Sequence, residues 1–202
     1  MTSDLLGLFV VTIAAVSLTP GMCMTLAFSL GLSLGYRKTL WMMAGEMTGV
    51  VVVVSTTVFL LAWLLRLDPI WFNGLAMAGA VYLLWIARQL WIADPELSSK
   101  GVRGSLRPMS LAALGFTTAI MNPKGWAFMI ALLPGFMDAE RALLPQLLVF
   151  LSVMLTTEFL SLSLYAGGGR WLRRALGDGA PMGVLNKIAA ALMVGVSVLV
   201  FV

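Results

Sequence analysis

The sequence contains no histidine and one cysteine, Cys23, among its 202 residues. Histidine is the commonest metal ligand and the usual proton shuttle of proteins, and a lone cysteine forms neither an internal disulfide nor a redox thiol pair. The sequence also shows no Walker loop and no nucleophile–base pair. We therefore expect no metal, no cofactor, no ATP hydrolysis and no enzymatic activity.

Charged residues are scarce as well. They make up 11% of the chain, against 60% hydrophobic residues, whereas soluble domains have about 25% charged residues. A membrane helix needs roughly 20 apolar residues to cross the hydrocarbon layer, so six crossings with short loops would use almost the whole chain. The composition predicts an integral membrane protein that lies in a lipid bilayer and has no nucleic-acid partner.

Apolar runs between turn and charge signals predict an all-α polytopic protein with six transmembrane helices. The expected spans are 5–33, 39–65, 69–92, 109–136, 143–168 and 185–202. We interpret residues 1–202 as a single transmembrane domain, with repeat A at about 1–93, a loop at about 94–108 and repeat B at about 109–202. The connection after the fifth span is expected to begin at Gly167. The small-xxx-small pairs Gly31-Gly35 and Gly45-Gly49 predict close helix packing.

Basic residues are concentrated in or beside the first, third and fifth connections. They are Arg37, Lys38, Arg88, Lys100, Arg103, Arg107, Arg170, Arg173, Arg174 and Lys187. The opposite side carries Arg66 and Arg141. Under the positive-inside rule, the basic connections are cytoplasmic and both termini lie outside the cytoplasm.

Six helices divide into two sets of three, and because three is odd, the second set enters the membrane inverted. Inverted 3+3 repeats are common in secondary transporters, which bind cargo near the midplane between discontinuous helices. Two features correspond across the halves. Helices one and four contain Thr19-Pro20-Gly21 and Asn122-Pro123-Lys124-Gly125, and helices two and five contain Glu46 and Glu158.

A proline inside a helix frees a backbone carbonyl, which in a membrane must face protein or a hydrated cavity. We predict that helices one and four are broken at Pro20-Gly21 and Asn122-Pro123. Each break then offers carbonyls suited to an ammonium group and a half-helix N-terminus suited to a carboxylate, and a zwitterionic amino acid needs both. The candidate substrate-binding residues are Thr19, Pro20, Gly21, Met22, Thr118, Asn122, Pro123 and Lys124. Alternatively, both prolines are kinks that serve packing.

Glu46 and Glu158 are predicted near the middle of their helices, where a charge costs about 2.5–3.5 kcal/mol and normally faces a cavity or a partner. We predict that they couple transport to protons; the alternative is a neutral acid hydrogen-bonded to a neighbouring helix. Three roles for Lys124 stay open. It could bind a substrate carboxylate, neutralise one of the glutamates, or extend its side chain towards an interface.

Several stretches resemble the lysine exporter (LysE) superfamily, in its RhtB homoserine/threonine-type amino-acid exporter family. These stretches are Thr19-Pro20-Gly21, Ala44-Gly45-Glu46, Gly79 to Leu84, and Gly115 to Phe136 with Asn122-Pro123-Lys124 and Leu133-Pro134-Gly135-Phe136. Glu158 is placed like the acidic residue in the family's fifth helix. The sequence departs from the family pattern at Met22, where a second proline is common, and in having glutamate where aspartate is expected.

The resemblance implies a secondary transporter of the bacterial inner membrane. It would export small amino acids or their derivatives from the cytoplasm by proton antiport, as a homodimer, with the proton gradient as its energy source. Two alternatives remain. A cation carrier is disfavoured by the missing histidines and the few carboxylates, and a non-transporting membrane subunit would tolerate changes at Glu46, Glu158 and Lys124.

Overall fold

The computed structural model describes residues 3–19, 21–64, 69–92, 107–138 and 140–176, and residues 187, 190, 191, 194, 195 and 198. All regular structure in these ranges is helical, which confirms the all-α prediction. The α-helices are α1 (Ser3–Leu18), α2 (Met22–Leu34), α3 (Tyr36–Leu64), α4 (Pro69–Ile92), α5 (Pro108–Ile120), α6 (Pro123–Leu132) and α7 (Leu143–Leu176). A 3-10 helix, Leu133–Phe136, follows α6 directly.

Two helices of the described part, α3 and the section of α7 from Leu143 to Gly168, are long and apolar enough to cross a membrane. The bent pair of α1 and α2 is a third candidate, with an angle of 55° between its two arms. The helices therefore fit a polytopic membrane protein. The sixth predicted span, 185–202, and the loop at 94–108 lie mostly outside the described residues, and the inverted repeat stays a prediction.

Both helix breaks lie at the predicted positions. The first break separates Leu18 from Met22, and Gly21 in its extended conformation (φ −157°) precedes α2. The second separates Ile120 from Pro123, the first residue of α6. Proline needs no backbone N–H at this first helical position, so it starts a helix there as readily as it ends one further along. Pro20 itself lies outside the described residues.

The prediction that the connection after the fifth span begins at Gly167 is wrong. Three glycines follow one another there, but α7 continues to Leu176. A glycine costs about 1 kcal/mol within a helix and leaves the backbone hydrogen bond in place, whereas proline removes that bond. The leucine- and arginine-rich segment that follows favours helix. The apolar stretch therefore ends at Gly168, and the helix does not.

Glycines set the closest helix contacts. A Cβ atom on Gly45 would overlap the backbone carbonyl of Ala112 in α5, and one on Gly31 would overlap the carbonyl of Ala166 in α7. The prediction for Gly31, Gly45 and Gly49 is thereby confirmed. It is wrong for Gly35, which has open space around it and a φ of +82°. Glycine is favoured there because the backbone turns between α2 and α3 in a left-handed conformation.

The α3–α5 contact also fixes the relative direction of these helices. Gly45 meets Ala112, and Gly49, one turn later, meets Ala119. Contacts that advance together along both helices show that the helices run in the same direction. The N-termini of α3 and α5 therefore lie at the same end of the bundle.

Candidate functional site

A cavity of about 70 Å³ lies between the two helix breaks. Its polar lining residues are Ser17, Gly21, Cys23, Glu46, Asn122, Lys124 and Glu158, and its apolar walls include Val53, Met24, Phe128, Met129 and Met154. A volume of this size holds a few water molecules and is far below the roughly 300 Å³ of a small ligand pocket. The cavity is therefore too small for an amino acid, which would enter only if helices move apart.

Lys124 reaches across the cavity to the end of α1. Its Nζ donates to the backbone oxygens of Thr19 at 3.0 Å and Val16 at 3.3 Å, and also to Thr19 Oγ1. The Thr19 hydroxyl donates in turn to Val16 O at 2.6 Å. Carbonyls at the end of α1 lack the usual N–H donor four residues further on, and Thr19 serves Val16 O only in part, through its backbone N–H at 3.1 Å and its hydroxyl. Lys124 thus points inward, into the first break, and supplies those missing partners.

Tyr165 of α7 satisfies another carbonyl at the same helix end. Its hydroxyl donates to Leu18 O at 3.0 Å. Together, Lys124 and Tyr165 provide donors for the oxygens that the break exposes, as a membrane interior requires. No sequence signal indicates this role of Tyr165, because a tyrosine near the end of an apolar run predicts an interfacial position.

The second break is satisfied by neighbouring residues. Trp126 Nε1 donates to Ile120 O at 2.8 Å, and the backbone N–H of Asn122 donates to Ala119 O at 3.2 Å. Asn122 Oδ1 accepts from the backbone N–H of Lys124 at 3.1 Å and so caps α6, an ordinary role for asparagine. Its amide also donates across the cavity to Cys23 Sγ at 3.4 Å.

The two glutamates meet in this cavity. Glu46 is 1% exposed, and neither of its carboxyl oxygens has a hydrogen-bond partner among the described residues. Its polar surroundings are the Glu158 carboxyl and the Cys23 thiol. Glu158 is partly buried and interacts with Ser17, Lys124 and Glu46. Because an unpaired buried charge is costly, Glu46 must hold a proton or gain a cation while the cavity is closed.

Some predicted site residues lie elsewhere. Met22 is about half exposed (49%), and Pro123 is also exposed; neither lines the cavity. Thr118 donates to Leu114 O within its own helix at 2.7 Å, as hydroxyls in helices often do. Thr19 contacts Lys124 without lining the cavity, and Pro20 lies outside the described residues.

Sequence reasoning missed two cavity residues beside the first break. Ser17 and Cys23 line the cavity, and Ser17 Oγ lies 3.5 Å from Thr157 Oγ1. Their closeness to Pro20 in the sequence was the available signal. Cys23 had been considered only for disulfide and redox chemistry, for which it is unsuited.

Membrane-length helices, two helix breaks and a small cavity that holds charged side chains where the breaks meet are features of helical membrane transporters. The sequence model of one family, described as LysE type translocator, matches residues 14–202. The chain belongs to the LysE type translocator family. The resemblance found in the sequence motifs is thereby confirmed.

Relatives span nearly the whole chain. It is 26% identical over 191 residues to an uncharacterized membrane protein of Vibrio cholerae, covering 95% of this chain and 93% of the relative. It is 25% identical over 199 residues to a homoserine/homoserine lactone efflux protein of Salmonella typhi, covering 98% and 97%. A leucine efflux protein of Klebsiella pneumoniae is 27% identical over 145 residues, covering 71% and 68%. No solved structure matches the chain.

Proposed function

We propose that this chain is a secondary transporter that exports small amino acids or their derivatives from the cytoplasm by proton antiport. The observation that carries the proposal is the pair of carboxyls, Glu46 and Glu158, enclosed with the Lys124 ammonium between two helix breaks. The names of the relatives, for efflux of homoserine, homoserine lactone and leucine, support amino acids as the cargo class.

Antiport requires that the proton and the cargo exclude each other from one site. In the closed cavity, a proton on Glu46 removes the cost of an unpaired buried charge. When an amino acid enters, the positive charge that it brings into the cavity can compensate the charged carboxylate instead, so the proton is free to leave. The proton gradient then supplies the energy, and no cofactor is needed.

The two half-helix N-termini differ in their capacity to receive the cargo's carboxylate. Asn122 already caps α6 with its side chain, whereas Gly21 gives α2 no side-chain cap. Gly21 and Cys23 at the start of α2 also line the cavity. Backbone N–H groups at a helix start favour an anion, so we assign the cargo's carboxylate to the α2 side.

The proposal includes a bacterial inner-membrane protein with the six-span, inverted 3+3 architecture, present as a homodimer. Both termini would lie outside the cytoplasm. One structural observation supports this orientation. Arg37, Lys38 and Arg107 lie at the start of α3 and α5, which is the same end of the bundle, and clustered basic residues mark the cytoplasmic end.

Proteoliposomes test the coupling. Glu46→Gln and Glu158→Gln should each abolish efflux driven by a proton gradient, because glutamine cannot carry the proton, while leaving the protein folded. Labelled leucine and homoserine would report transport, and an internal pH dye would report the protons. Glu140→Gln, at an exposed residue, is the matched control and should behave as wild type.

Full coupling in both glutamine variants would contradict the proposal. Tolerance of changes at Glu46, Glu158 and Lys124 alike would instead support a non-transporting membrane subunit. A growth-protection screen, in which the overexpressed chain is challenged with toxic levels of single amino acids and their analogues, would identify the cargo.

A further inference from the structure

The end of α1 surrounds a single nitrogen atom with oxygens. The Lys124 Nζ contacts Val16 O, Thr19 O and Thr19 Oγ1. We call these three atoms the ammonium site. An alkylammonium group carries three N–H donors, so the number of acceptors matches the number of donors.

The acceptors are arranged for a cation. Because the Thr19 hydroxyl donates its own hydrogen to Val16 O, its oxygen presents a lone pair to the nitrogen. Val16 lies in the last turn of α1 and Thr19 directly follows that helix, so both carbonyls lie at the end where the helix dipole is negative. Thr19 is 3% exposed, so water competes little. Among the described residues, Lys124 forms no ion pair; its hydrogen-bond partners are uncharged oxygens, and the Glu158 carboxyl interacts with it without forming an ion pair.

The ammonium group that is bound at the end of α1 belongs to a different helix. Lys124 belongs to α6, and its backbone is fixed there by the Asn122 cap, so its side chain enters the end of α1 as a ligand would. Gly21 leaves space along the stem: a Cβ at that position would lie 3.4 Å from both Cδ and Nζ of Lys124. The Lys124 side chain therefore passes directly beside Gly21, and both residues line the cavity.

We propose that the ammonium site binds primary ammonium groups in general, that Lys124 occupies it in the closed state, and that the cargo's α-ammonium replaces Lys124 during transport. The last clause rests on the proposed function. Lys124 lines the cavity and interacts with Glu158. The displaced Lys124 ammonium can therefore pair with the Glu158 carboxylate or with the carboxylate of the cargo. The site would thus accept small primary amines and amino acids, and reject cations without N–H donors.

The test removes the internal ligand and supplies an external one. Lys124→Ala deletes the methylenes and the ammonium group, and propylammonium reproduces what was deleted. The purified variant should show a saturable rise in its unfolding temperature, by roughly 5–10 °C at a hundredfold excess over Kd. Tetramethylammonium, which has no N–H donor, should give no rise.

Two matched controls isolate the site. Lys187→Ala removes another lysine whose nitrogen lies 5.9 Å from the centre of an aromatic ring, the same distance as for Lys124. Neither the Lys187→Ala variant nor the wild-type protein should respond to propylammonium. Adding Thr19→Val to Lys124→Ala removes one acceptor and should weaken propylammonium binding at least about tenfold. Equal binding with valine at position 19 would overturn the assignment.

The remaining outcomes are also decisive. If Lys124→Ala folds only when propylammonium is present, that rescue supports the site. If the variant does not fold and no primary amine restores its folding, Lys124 has a purely structural role and the proposal fails. The replacement step requires that a transported amino acid displace propylammonium while its N-acetyl derivative does not, and binding that no amino acid displaces would overturn it. Amine binding by Lys124→Ala in a chain that transports no amino acid would instead refute the proposed function.

Discussion

The first helix break takes part of its hydrogen bonds from the other half of the chain, whereas the donors at the second break come from neighbouring residues. Lys124 and Tyr165, which complete the end of α1, lie 105 and 147 positions from the carbonyls they bind. Trp126, which completes the end of α5, lies six positions from Ile120. The two breaks have similar sequence signals, but the first depends on donors from distant residues and the second does not.

This difference bears on motion. The hydrogen bonds of the second break are local, so they stay in place when its helices move together. They hold the start of α6, which carries Lys124. The first break is complete only while α6 and α7 remain against α1. A movement that separates the halves exposes its carbonyls, and those carbonyls then need water, cargo or a returning lysine.

We expect the largest effect from Lys124→Met, which keeps the apolar part of the side chain and removes the ammonium group. Thr19 O and Thr19 Oγ1 would lose their charged donor, and Val16 O would keep only its bonds from Thr19, at a cost of about 3 kcal/mol. We expect the unfolding temperature in detergent to fall by roughly 6–12 °C. Lys187→Met is the control and should leave it almost unchanged. A Lys124→Met protein as stable as wild type would mean that the first break does not depend on Lys124.

Tyr165→Phe and Trp126→Phe compare single hydrogen bonds at the two breaks. Each removes one donor to a helix-end carbonyl, keeps an aromatic ring, and should lower stability by about 1–2 kcal/mol. Since the Tyr165 bond joins separate halves, we expect its loss to change the rate of cargo efflux more than the loss of the Trp126 bond. Efflux from proteoliposomes measures this. Equal rates for the two variants would remove the functional distinction between the breaks.

A pair of double-mutant cycles sharpens the same point. Lys124→Met and Tyr165→Phe act on one helix end, so their stability losses should be coupled by at least about 0.5 kcal/mol. Lys124→Met and Trp126→Phe act on different breaks and should add within about 0.5 kcal/mol. Thermal unfolding of the single and double variants gives both coupling terms. The reverse pattern would show that the breaks form one unit.

The smallest expected effect is a gain. Gly125 lies in α6, and a Cβ atom there would meet nothing within 4 Å. Gly125→Ala should therefore stabilise the second break by about 0.5–1 kcal/mol, because alanine loses less backbone entropy in a helix. Gly21→Ala is the counterpart at the first break, where the new atom would touch the Lys124 stem, and should give no such gain. Unfolding temperatures decide between these outcomes.

Much of the fold follows from local sequence signals. Apolar runs located the helices closely, including 69–92 for α4, because crossing a membrane demands a continuous apolar length. Proline placed both breaks because it excludes a hydrogen bond wherever it occurs. An apolar run indicates only the part of a helix that crosses the membrane. The extension of α7 beyond Gly167 was therefore missed, because this helix continues past its apolar section.

The candidate site was less predictable. Glu46, Glu158, Asn122 and Lys124 stood out because polar residues are costly in an apolar span, and the structure brings them to one cavity. Which break Lys124 serves, and the donation by Tyr165, depend on how distant segments approach each other. No local pattern encodes that approach, so three roles for Lys124 remained equally open.

The glycine contacts between α3 and α5 separate two kinds of constraint on the sequence. A methyl group on Gly45 would strike the Ala112 carbonyl, and one on Gly115 would strike that of Met42; both obstacles are main-chain atoms that no choice of rotamer removes. Fitting these helices together is therefore independent of the side chains that face the cavity. Met24, Met129 and Met154 line the cavity and are also part of the hydrophobic core, so exchanges that suit a different cargo must keep their volume but leave the contact of α3 with α5 unchanged.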